Sequence, residues 1–473
     1  MQRHGPVPLP FLANAPMRLN IATAVLVLSL SSGVSFGNDS PAQSKLSTES
    51  GKTLSSNKLS SAQPKISTEM VRQIIRNKNI DPDSPQGLRL ATFLVRFFND
   101  PQALAGKTGL SGPTIAPEAR LRILRLMSKV MSFGQEACGL SRRTPDVAEL
   151  TRTLSPEEFN ANIALVEAMT LNVPTSPDEH YPLADRVSAN ATVNEAALDA
   201  VGRSNLEKMP TQAQLCSAMT EVFAKLDKMP EPEQRRLTFE IFQLLQGRPG
   251  APELVMADPE AYLNLVFDER QLSPRILSRL PKDGSRPLPF KRIVIEGAWV
   301  SEIEGESGPV RETFVNRRNN GVVAEWLESS GEQADNASIT FALTYGIENL
   351  RGQTILKGGA YRLANLRTPP LDLTNISAIP GKTFRYALSE PELNSDYLPE
   401  HQCEIVGSHP ASEISSSLEG NAIELLCVVP RRNKGLPATN RSVLLQHYGI
   451  ALNLGWTVDD KSGKYVITKA AVE

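Results

Sequence analysis

Near residue 290 the spacing of apolar residues changes from helical to alternating, and this change constrains the fold more than any other feature. Before it, Leu121, Leu124, Met127, Val130 and Met131 recur at the spacing of one helix face. Pro117 sits where the first turn of that helix would begin, and Ser155-Pro156-Glu157-Glu158 has the spacing of a capping box. After it, Ile293, Ile295, Trp299 and Ile303 alternate with Arg292, Glu296 and Glu302. Ile339, Phe341, Leu343 and Tyr345 do the same around Thr340 and Thr344, the period of a half-buried strand. Further strands are expected over 322–326, 383–388 and 423–429, and 454–458 and 464–468 flank a turn as a terminal hairpin. The fold class expected is therefore α+β multidomain. An N-terminal all-α helical domain over 68–280, a bundle or irregular α-solenoid, leads through a hinge at 281–289. A C-terminal antiparallel all-β sandwich or barrel-like domain then spans 290–473, with room for two small sheet modules.

The start of the chain is a different kind of segment. Arg18, an apolar run from Ile21 to Leu30, and Ser35 and Gly37 around Phe36 give the pattern of a cleavable signal peptide over 1–37. Met17 offers a second start for it. The apolar run is shorter than the roughly 20 residues a membrane helix needs. Residues 38–67, rich in Ser, Thr, Lys, Gln and Asn, bury too little to offset ordering and are expected to form a disordered linker. These features place the protein in a secreted or periplasmic setting, with no transmembrane anchor. A net charge of −2 argues against nucleic acid as a general partner.

Export bears on the four cysteines. An even number in an oxidising compartment favours disulfides, and the positions favour one in each half: Cys138 with Cys216, and Cys403 with Cys427. Cys403 shares parity with Ile405, and Cys427 with Ile423 and Leu425, so both can face the core of one sheet. No Cys-x-x-Cys pair exists, and a zinc site at His401, Cys403 and His409 would be short of ligands once Cys403 is bridged. No metal or cofactor is expected.

Candidate chemistry is sparse. Glu302, Glu304 and Glu306 stand at alternate positions, and Glu302 with Glu304 is the one carboxylate pair offered for glycoside hydrolysis. Solvated strand positions explain the same pattern. Asp178, Glu179 and His180 lie in a Pro-rich loop, and Gly358-Gly359 lacks the spacing of a phosphate loop. Arg317, Arg318, Arg431 and Arg432 fall in loops that could present a basic patch to an anionic envelope polymer. Asn190, Asn336, Asn375 and Asn440 head glycosylation sequons, which matter only in a glycosylating host. Ser338 to Ile347 and Ser442 to Ile450 echo one another, each passing through Tyr-Gly-Ile.

With no nucleophile elbow, zincin motif or Walker loop in the chain, the expected function is binding. The reading is an exported cell-envelope or periplasmic interaction protein without a catalytic centre, taking a protein or an anionic envelope polymer. Its competitor is a secreted hydrolase of polysaccharide or peptidoglycan acting through Glu302 and Glu304.

Overall fold

The computed structural model describes residues 65–104, 114–133, 147–201, 220 and 222–473, apart from 304–306, 332–336, 369, 374–375, 388–389, 392–399, 430–437 and 459. Cys138, Cys216, Glu304, Glu306, Arg431 and Arg432 lie outside the described residues. The class is α+β with an antiparallel sheet. Two compact units make it up, one ending at Glu179 and the other running from His180 to Glu473. Among the described residues no helix is long and apolar enough to cross a membrane.

The first unit contains helices α1 (Thr68–Asn77), α2 (Pro85–Phe98), α3 (Pro101–Leu104), α4 (Pro117–Ser132), α5 (Val147–Thr153) and α6 (Pro156–Thr170). Local chemistry sets their starts. Ser67 caps α1 at Met70, and Ser84 caps α2 at Gly87 with Pro85 in the first turn. The capping box at Ser155 and Glu158 forms with both of its hydrogen bonds, as its spacing predicts. Val71 and Ile75 of α1, Phe93 and Phe97 of α2, and Phe159 and Ile163 of α6 then meet in one core. Arg120 of α4 is fully buried; its Nη1 donates to Glu179 at 2.6 Å and to the carbonyl of Ile115, also at 2.6 Å, and Nη2 donates to Glu179 at 3.0 Å.

The second unit opens with helices α7 (Leu183–Val201), α8 (Glu231–Leu245), α9 (Ala251–Ala257), α10 (Pro259–Val266) and α11 (Pro274–Leu277). Five strands follow: β1 (Arg292–Ser301), β2 (Gly308–Asn316), β3 (Val322–Ser329), β4 (Ser338–Tyr345) and β5 (Glu348–Leu356). Short pieces come next, β6 (Gly359–Ala360), β7 (Ala364–Asn365), β8 (Thr383–Ala387) and β9 (Glu390–Pro391). The chain ends with β10 (Glu400–Pro410), β11 (Asn421–Val429), β12 (Ala438–Leu445), β13 (Ile450–Val458) and β14 (Lys461–Val472). One sheet holds them in the order β8-β10-β11-β12-β13-β14-β1-β2-β3-β4-β5-β7-β9, with β6 against β5. Its two outermost strands, β8 and β9, are neighbours in the chain. The predicted terminal hairpin is present, with Gly455 opposite Lys464.

Strand β3 shows how the sheet is buried. Val322, Ala324 and Trp326 join a core with Val187 and Ala191 of α7, Val255 of α9, Tyr262 and Leu263 of α10 and Ile276 of α11. Val323 and Leu327, on the other face, join Ile293, Phe314, Val443, Ile450, Leu452 and Tyr465 in a second core. The helices after His180 thus share a core with the strands, whereas the division read from sequence put the break at 281–289. A helical stripe shows that a face is buried, not what buries it.

The two sequence echoes occupy corresponding places. Gly346 ends the β4–β5 turn side and Gly449 the β12–β13 turn, with φ of 63° and 64°, a backbone that favours glycine. Each leads into the second strand of a hairpin that carries a register shift. Gly346 also bridges Ile450, so the two turns touch.

The expected Cys403–Cys427 disulfide is formed. The two residues face each other in the β10–β11 ladder with Cα atoms 4.0 Å apart. Replacing both by alanine should lower stability by about 3 kcal/mol in the chain-entropy picture of loop closure. The midpoint of urea unfolding, measured without reductant, checks this; an unchanged midpoint would mean the bridge adds nothing.

Candidate functional site

The residues singled out by sequence are mostly occupied in holding the fold. Glu302 lies just past the end of β1, where its carboxylate accepts from Ser462 N at 2.6 Å and Ser462 Oγ at 3.0 Å. Its own backbone N–H donates to the Ser462 carbonyl at 2.9 Å, so the contact ties the β1–β2 connection to the start of β14. Arg317 donates to the Phe267 carbonyl at 2.9 Å and to Asn264 Oδ1 at 2.8 Å, closing the C-terminal end of α10. Arg318 reaches Asp268 at 3.3 Å, with Glu269 and Asp283 at 3.8 and 3.6 Å. The acidic partners at 268–269 lie some fifty residues upstream, so the two arginines read in sequence as exposed loop charges. Glu179 is taken by Arg120. His401 faces the opposite side of β10 from Gln402 and Glu404, and His409 lies 3.4 Å from Glu424 and 3.6 Å from Glu413. Asn190 is buried, and its side chain accepts from Ala360 N at 2.8 Å, which leaves no room for a glycan there.

Two features that sequence reasoning missed stand on the two faces of β10 and β11. On the inner face, Cys403, Ile405, Ile423, Leu425, Cys427 and Leu444 form a core, covered by Leu371, Leu373, Ile376 and Ala378 from the stretch before β8. Beside it lies a buried polar cluster. Glu348, the first residue of β5, accepts from the backbone N–H groups of Leu371 and Ala387. Tyr386 Oη and His401 Nδ1 share a 2.6 Å hydrogen bond, and His401 Nε2 is buried without a hydrogen-bond partner.

Burial dominates the protonation of all three groups. It pushes the Glu348 carboxyl up to about 7, against the two backbone donors, and raises the Tyr386 hydroxyl. It presses the His401 imidazole down to about 3, so His401 is neutral near pH 7. The two shifts act oppositely on stability. Glu348 keeps its proton longer in the folded state, so its contribution is complete below about 4.5 and is lost as pH climbs to about 7. The contribution of His401 is complete above 6.5 and is lost as pH falls toward about 3. Glu348 and His401 are buried and Tyr386 is partly buried.

The outer face of the same strands is open. Val406, Leu426 and Val428 are 51%, 41% and 38% exposed, where large aliphatic side chains on a sheet are ordinarily covered. They are contiguous, since Leu426 stands opposite Glu404 and Val428 opposite Gln402, with Val406 two residues along β10. Exposed polar residues border them: Arg385 on β8, Gln402 and Glu404 on β10, and Arg441 on β12, whose guanidinium holds Glu424 at 2.9 Å. The apolar run ELLCVV does not by itself show which face of the strand is left open. No family model, curated protein or solved structure matches the chain.

Proposed function

We propose that this is an exported protein of the cell envelope or periplasm that binds a protein partner through the outer face of β8, β10, β11 and β12. The observation that carries the reading is the strip of Val406, Leu426 and Val428 inside a polar border. An apolar centre with a polar rim is the anatomy of a protein–protein contact. Charges of both signs on the rim, Arg385 and Arg441 with Glu404 and Glu424, suit a protein better than an anionic polymer, which would be repelled by the carboxylates. The side chains of the strip are aliphatic, whereas sugars are held by stacking on aromatic rings. The buried Cys403–Cys427 bridge fits an oxidising compartment.

Retention of the purified protein on envelope preparations from the producing cells tests this. Leu426→Glu and Val428→Glu should each weaken retention about tenfold or more, the scale of losing one central apolar anchor. Stripping the envelope of protein with protease should abolish it. Retention that survives both treatments, or glycan released into solution, would overturn the reading.

A further inference from the structure

We infer that Trp299 and Trp456, lying over β14, form a second binding surface, a stacking platform for a neutral glycan chain of equatorially linked pyranoses. It shares no residue with the protein-binding face proposed above.

The ladders put the two indoles on one face. Trp456 of β13 stands opposite Gly463 of β14, and Trp299 of β1 stands opposite Tyr465. Gly463 and Tyr465 are alternate residues of one strand, so they point to the same side, about 7 Å apart along it. The tryptophans therefore lean over β14 from its two flanks. Trp299 lies against Tyr465 with ring centroids 5.6 Å apart and planes inclined by 26°. Trp456 lies over Gly463 itself. A Cβ at that position would stand 2.6 Å from both Cε2 and Nε1 of the indole and 2.8 Å from Cζ2. Glycine thus lets the ring settle onto the backbone of β14, where any side chain would lift it. Neither ring is enclosed: Trp299 and Trp456 are half-buried, whereas Trp326, the third tryptophan, is 4% exposed in the core shared with the helices.

Uncharged polar groups border the rings. Asn440 of β12 stands opposite Trp456, and Ser301, the last residue of β1, stands opposite Gly463; both are half-buried. The asparagine amide both donates and accepts hydrogen bonds, as a sugar hydroxyl does. Along these strands the first charge on this face is Lys461, opposite Val458 at the hairpin end. The partner of Asn440 on β11 is Cys427, between Leu426 and Val428, so the aliphatic strip points to the other side of the sheet.

This chemistry fits a neutral sugar. A glucose-type pyranose carries its hydroxyls around its rim and presents C–H bonds on its flat faces, which are drawn to the electron-rich face of an indole. The rim hydroxyls then meet the amide and hydroxyl beside the rings. Equatorial linkages keep successive units in a straight ribbon. Both indoles lie over one extended strand, so neighbouring units of such a ribbon meet them in turn.

The test is calorimetric titration of the whole protein with soluble probes. Cellotetraose and N-acetylated chitotetraose carry the shared linkage from two sources, and maltotetraose, whose axial linkages curve the chain, is the control. A shallow platform binds too weakly to survive washing, so binding is read in solution, with a Kd of about 1 mM or tighter expected for one or both equatorially linked probes. The tighter of the two identifies the source as a glucan or a chitin-type chain. Trp299→Ala and Trp456→Ala should each weaken binding about tenfold or more, the scale of losing an aromatic anchor. Gly463→Ala keeps both indoles but lifts one from the strand, and should weaken binding as well. No saturable heat from either equatorially linked probe overturns the inference and needs no variant. Binding unchanged in Trp456→Ala, or equally tight for maltotetraose, also overturns it. The titrations use no envelope material, so their outcome and that of the retention experiment on Leu426→Glu are decided separately.

Discussion

Phe341→Ala should destabilise the second unit by about 3–5 kcal/mol, the range for removing a fully buried aromatic ring. Phe341 lies in the middle of β4 and is fully buried. Its ring sits 5.2 Å from Tyr262 of α10 and 5.6 Å from Phe267, and across the ladder it faces Trp326. The surroundings have little freedom to collapse into the space left behind. The Tyr262 hydroxyl donates to Gln353 on β5 at 2.6 Å, and Gln353 donates in turn to the Tyr361 carbonyl at 2.8 Å, which pins the ring that would otherwise move in. Phe341→Leu keeps more of the volume and should cost less than the alanine change. Urea unfolding of the two variants, followed by tryptophan fluorescence, checks the ranking. A cost below about 1 kcal/mol for the alanine variant would show that the helices do not depend on this face of the sheet.

In the first unit the largest effect is expected at Arg120. Removing one partner of a buried ion pair leaves the other charge without compensation and costs about 3–5 kcal/mol. Arg120→Met would take the guanidinium away from the mostly buried Glu179 carboxylate and from the Ile115 carbonyl. The double variant Arg120→Met with Glu179→Leu removes both charges, and should recover much of the loss. A double-mutant cycle by denaturant unfolding separates the cases: a double variant whose loss equals the sum of the two single losses would mean the pair is not coupled.

Much of the local structure could be read from residue order alone. Ser155 and Glu158 announce a helix start because their side chains satisfy backbone donors at a fixed spacing, and the capping box forms as read. Cys403 and Cys427 could be paired because parity placed both on the buried side of their strands. What could not be read depends on contacts between distant stretches. The helices from α7 to α11 show apolar stripes, yet that these meet β3, β4 and β5 is decided by the shape of the sheet. Glu348 and His401 stand more than fifty residues apart with Tyr386 between them, and each looks like an ordinary strand residue until β5, β8 and β10 are brought together. The open strip is a different case: parity puts Ile423, Leu425 and Cys427 on one face of β11, but an apolar Leu426 and Val428 on the other face do not say whether that face is covered, and on β11 it remains exposed.

The strand order has a consequence for timing. Strand β1 lies between β2, its neighbour in the chain, and β14, so Ile293 pairs with Phe314 on one side and Val472 on the other. One side of β1 can close as soon as a short hairpin has been made. The other must wait for a partner at the far end of the chain, and contacts of such separation close slowly because of the chain entropy lost in forming them. Until Val472 is available, β1 keeps an unpaired edge, and the core that Ile293 and Ile295 share with Tyr465 and Ala470 is incomplete. The last strand made is therefore the one that joins β13 to β1, and the sheet is finished from its middle.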